Sequence, residues 1–90
     1  MLLNDVVFNW LQMKIVSEAR PDDQAAQETL DFFDLILRED HLASNIQVQL
    51  EGEHQYLVTY IRESEHVTQR IDREAVEMLL ADINSNPKYN

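Results

Sequence analysis

Between Leu2 and Ala19 the apolar residues fall at positions 3, 7, 11 and 15 and again at 2, 6, 13 and 16, with Trp10 between them. At about 100° per residue these positions cover most of a helix circumference, leaving a narrow polar strip of Asp5, Asn9 and Gln12. A helix that is apolar nearly all round is buried on more than one side, so it either lies centrally in the domain or forms a subunit interface. Arg20-Pro21-Asp22-Asp23 ends it, because proline disfavours helical geometry at the residue before it and the two aspartates favour a new helix N-terminus. So short a connection predicts an antiparallel helix hairpin. From Asp22 to Asp40 the second helix has a clean stripe of Ala26, Leu30, Phe33 and Leu37, flanked by Thr29 and Ile36. Its other side holds Glu28, Asp31, Asp34 and Glu39, with Leu35 among them, Phe32 at the edge and Leu42 seven residues beyond Leu35.

At Asn45 the period changes from helical to two. Ile46, Val48 and Leu50 alternate with Gln47, Gln49 and Glu51, the pattern of a half-buried strand. Glu51-Gly52-Glu53-His54 reads as a turn around the single glycine, and Gln55 to Arg62, rich in Tyr, Val, Thr and Ile, as a second strand. After Glu63-Ser64-Glu65, His66 to Ile71 reads as a short third strand, although Val67, Ile71, Ala75 and Met78 also fit an earlier start of the last helix. That helix runs from about Arg73 to Asn84, with Asp72 as its N-cap and Ile71 placed to pack on Val76. The expectation is a single α+β domain over residues 1–84, order α-α-β-β-β-α, with an antiparallel three-stranded meander packed against helices. A flexible tail is expected over 85–90.

The faces of the meander depend on loop lengths. A first turn of two or four residues and a second of three would place Ile46, Val48, Leu50, Leu57, Thr59, Ile61, Val67 and Ile71 on a core face. Tyr56, Val58, Tyr60 and Arg62 would then face outward, a composition that suits a contact surface because Tyr and Arg are enriched at binding hot spots. A shift of one residue would instead put the tyrosines in the core.

Charge narrows the function. The net charge is −10, and residues 21–43 hold seven acids against Arg38 alone. Such a chain is repelled by nucleic-acid backbone and by anionic lipid, so neither is expected as a direct partner. Glu39 and Asp40 oppose the dipole at the end of the second helix, each at about 0.3–1 kcal/mol when exposed. Arg38 and His41 offset part of this. A local rule broken in this way points to function, with Leu35 and Leu42, flanked by Glu28, Asp31 and Glu39, as apolar anchors in an acidic rim.

The chain has no cysteine, which excludes disulfides, thiolate nucleophiles and cysteine-based metal sites and fits a reducing compartment. No stretch approaches the ~18 consecutive apolar residues of a spanning helix, so a cytoplasmic protein is expected. The histidines each follow an acid, but His54 and His66 lie at opposite ends of the second strand, roughly 26 Å apart at about 3.3 Å per residue, too far to share an ion. No phosphate loop, nucleophile elbow or metalloprotease motif is present. No catalytic residue, cofactor or metal is therefore expected.

In topology alone, the order α-β-β-β-α behind an additional first helix resembles the double-stranded-RNA-binding domain. The final helix of that family opens with lysines that grip phosphates, whereas the matching stretch here is Asp72-Arg73-Glu74-Ala75-Val76-Glu77. The likeness therefore implies no RNA binding. The reading that remains is a non-enzymatic interaction module for a basic or amphipathic protein segment, expected as a homodimer, with Phe32, Leu35, Glu39, Asp40, Leu42, Tyr56, Tyr60 and Arg62 as its contact residues. A nucleic-acid mimic or nuclease inhibitor is one alternative. A small-molecule binder with a polar pocket around Tyr56, Tyr60, Arg62 and Arg70 is another.

Overall fold

A computed structural model describes residues 1–86. The elements follow the expected order: α1 (Leu3–Ala19), α2 (Gln24–Glu39), β1 (Ala43–Glu51), β2 (Gln55–Arg62), β3 (Glu65–Asp72) and α3 (Arg73–Ser85). The third strand is formed, and α3 begins directly after it. α3 ends at Ser85, one residue into the segment expected as a tail, and residues 87–90 of that segment lie outside the described residues.

Side chains cap the starts of the second and third helices. Asp23 accepts a hydrogen bond from the Ala26 amide at 3.0 Å, and Asp72 one from the Ala75 amide at 2.9 Å. The Ala26 amide, then the Arg20 side chain, hold the Asp23 carboxyl below the usual carboxylate range. Between α1 and α2 the buried Ser17 hydroxyl donates to Gln27 Oε1 at 2.9 Å, which fixes how far one helix can slide along the other.

The three strands form a sheet in the order β1-β2-β3, antiparallel throughout. Glu51 pairs with Gln55 across a loop of Gly52, Glu53 and His54, and Arg62 pairs with Glu65 across Glu63 and Ser64. These lengths are three and two, the reverse of those that would have turned the tyrosines outward. Paired residues share a face, so Leu50-Tyr56-Ile71 and Val48-Val58-Gln69 form rows on one side, and Gln49-Leu57-Arg70 and Gln47-Thr59-Thr68 on the other. The register slips between Ser44 and Gln47, where Asn45 takes a positive φ of 51°. This bulge returns Ala43 to the packed side, where it is buried.

All three helices lie on the Tyr56-Val58-Tyr60 side. Val58, Tyr60 and Ile71 join Val6, Val7, Trp10 and Leu11 of α1, Leu37 of α2 and Val76 of α3 in one buried cluster. α1 packs on both α2 and α3, so its all-round apolar surface is that of a central helix. The opposite sheet face carries Gln47, Gln49, Thr68 and Arg70 exposed, with Leu57 and Ile61 half-buried among them.

A corner between α2 and β1

Phe32, Leu35 and Glu39 recur at helical spacing on the side of α2 turned away from Leu37. Phe32 is 55% exposed and Leu35 52%, although both are large and apolar. Beyond the helix end the chain passes through Asp40 and His41 to Leu42, which is 57% exposed and sits at a φ of +57°. Left-handed backbone is the ordinary province of glycine and asparagine; in a leucine it costs about 1 kcal/mol or more. The Nε2–H of His41 donates to the Met1 carbonyl at 3.1 Å, which brings Met1 and the exposed Leu2 to the same end of the molecule. Their place there could not be read from periodicity, since the bond joins residues forty positions apart.

Glu28, Asp31, Glu39 and Asp40 supply exposed carboxylates around these apolar groups. Arg38, three residues beyond Leu35, is bound to Asp34 at 2.7 Å. A further cation comes from the sheet: Arg62 Nε donates to the His41 carbonyl at 2.9 Å. It places positive charge just past the C-terminus of α2, where the dipole favours it. The unfavourable position of Glu39 and Asp40 is thus partly offset by a residue that the local sequence gave no reason to consider.

Three of the expected contact residues do not belong to an outer face. Tyr60 is 3% exposed and points into the core, where burial raises its hydroxyl pKa against a smaller opposing influence of Arg62. Tyr56 lies on the same side, half-buried, and its hydroxyl donates to the Glu77 carboxylate, which also accepts from Arg73 Nε at 3.0 Å. Burial first, and Glu77 second, push the Tyr56 hydroxyl up to about 12. Arg62 is engaged at the end of α2, as described. The cause in each case is the loop lengths, which set the register one residue from the arrangement that exposes the tyrosines. Phe32, Leu35, Glu39, Asp40 and Leu42 remain at the surface.

Nor do Tyr56, Tyr60, Arg62 and Arg70 converge on a pocket. Arg70 is on the open sheet face, bound to Glu51 at 2.8 Å, with the sheet between it and the tyrosines. A broad depression of about 450 Å³ lies instead at the β1–β2 loop and the start of α3, lined by Glu53, His54, Asp72, Arg73, Glu74 and Glu77. Among the described residues, no group of three or more His, Asp or Glu side chains is placed to hold a metal ion. No helix among them is long and apolar enough to cross a membrane.

Fold and corner together define a small α+β domain with helices on one sheet face and an acidic, partly apolar corner at the end of its second helix. No protein-family model, curated protein or solved structure matches the chain.

Proposed function

We propose that this protein is a non-enzymatic interaction module whose α2–β1 corner binds a basic amphipathic protein segment. The observation that carries the reading is Leu42, a large apolar side chain held in left-handed backbone and exposed to water, with only His41 between it and the acidic pair Glu39-Asp40. Folding alone disfavours each of those features, and strain of this kind is retained where a partner uses it. Leu35 and Phe32 extend the apolar surface, while Glu28, Asp31, Glu39 and Asp40 give it the charge that selects a cationic partner.

The test uses synthetic helical peptides with a Leu face and a Lys face, measured by fluorescence anisotropy. Binding should weaken as salt rises, because the rim charges are exposed and screened. Replacing Leu35 and Leu42 together by serine should reduce affinity at least about tenfold, equivalent to 1.4 kcal/mol. Glu39→Lys with Asp40→Lys should do the same at low salt and leave the melting temperature unchanged or higher, since two acids opposing the helix dipole are removed. A peptide that binds the wild type and both variants equally would remove the corner as a binding site.

A further inference from the structure

We propose that the free edge of β1 is a dimer interface, at which a second copy of this chain pairs antiparallel to make one continuous six-stranded sheet. Among the described residues β1 is hydrogen-bonded along one side only, by β2, so alternate amides and carbonyls of its nine residues face outward. Edge strands are commonly protected by charge, proline or shortness. β1 has little of this, for all but its last residue lies within His41 to Leu50, the longest run in the chain without Asp, Glu, Lys or Arg. The other edge strand, β3, carries Glu65, Arg70 and Asp72. In a chain of net charge −10, contact between copies at most surfaces would oppose carboxylates, and this edge is where it does not.

The strand is also complementary to itself. With Val48 opposite Val48 of the second copy, Leu50 faces Ile46, Gln49 faces Gln47 and Glu51 faces Asn45. Apolar residues then meet on the helix side, amides meet on the open side, and no carboxylate opposes another. The bulge between Ser44 and Gln47 contains Asn45 and Ile46, so the Val48–Val48 pair and the two Gln47–Gln49 pairs form the regular centre of this junction and the pairs of Leu50 with Ile46 lie at its ends. On the helix side Leu50 is 49% exposed and Ile46 and Val48 are half-buried, so one protomer's own helices leave this row partly uncovered. A two-fold axis normal to the sheet keeps both helix layers on one side and extends that cover across the junction. α2 packs on the helix side of β1, whereas Gln47 and Gln49 lie on the open face, with the sheet between them and the α2 corner.

Sedimentation equilibrium on the full chain tests it. At tens of micromolar the wild type should run at twice its 10.6 kDa chain mass. Gln47→Glu with Gln49→Glu sets carboxylates opposite one another and should raise the dimer dissociation constant at least about tenfold. Gln47→Lys with Gln49→Glu should restore it, because each new lysine then faces a new glutamate of the other copy. Both positions are exposed, and circular dichroism checks that the variants fold. A monomeric wild type overturns the proposal, as does a dimer indifferent to the acid pair or an acid-pair defect that the charge swap does not rescue. Peptide binding at the α2 corner should be the same in all three proteins, so loss of that activity would be a separate result.

Discussion

A leucine at a φ of +57° is held in a conformation that a glycine adopts freely, and Leu42 buries too little of its side chain to be compensated by packing. Leu42→Gly should therefore raise stability by about 1 kcal/mol in urea denaturation while it lowers affinity for the amphipathic peptide. An equally stable or less stable glycine variant would show that the leucine is needed for the fold. Tyr56 gives a pH prediction. Its raised pKa means that the folded state favours the protonated phenol, so this contribution is fully present below the ordinary value of 10.0 and is lost as pH rises through about 12. Tyr56→Phe should flatten the alkaline limb of a melting-temperature profile in that window and leave the limb below pH 8 displaced but parallel. Residue roles of this kind were the least legible in the sequence. Arg62 reaches the His41 carbonyl from a strand, and Tyr56 reaches Glu77 on the last helix, both across 21 positions.

At the level of elements the sequence was far more informative. The change of period at Asn45, the proline at Pro21 and the aspartates at Asp23 and Asp72 mark helices, strands and caps because each acts over a single turn or a few residues. Asp72→Ala should cost about 1 kcal/mol by leaving the Ala75 amide without its side-chain acceptor, measurable by thermal or chemical denaturation. Register was different. β2 is apolar on both faces, with Val58 and Tyr60 on one and Leu57 and Ile61 on the other, so alternation alone could not choose the core side. The choice falls to the two loops, Gly52 to His54 before β2 and Glu63-Ser64 after it, and in the second both residues take positive φ without the glycine or asparagine that usually announces such a two-residue turn. Ser64→Gly should stabilise the hairpin by roughly 0.5–1 kcal/mol, since it removes the side-chain clash at a φ of 67°. A destabilised variant would mean that the serine side chain contributes more than the backbone strain costs.

On the scale of the whole molecule, charge and burial oppose one another. A net charge of −10 on 90 residues makes the compact state repel itself, so the melting temperature should rise as salt is increased from about 20 to 300 mM. A flat or falling curve would indicate that local ion pairs such as Arg38–Asp34 and Arg70–Glu51 outweigh the general repulsion. Against that repulsion stands one cluster centred on α1, and Leu11→Ala in it should cost about 2–5 kcal/mol. For a domain of this size such a loss approaches the total stability. The position of α1 has a further effect during synthesis. It emerges before β2, β3 and α3, which complete the cluster around Val6, Val7, Trp10 and Leu11. Until translation has delivered the strands and α3, the most apolar segment of the chain has only α2 to cover it, and the nascent protein offers that surface to chaperones or to aggregation.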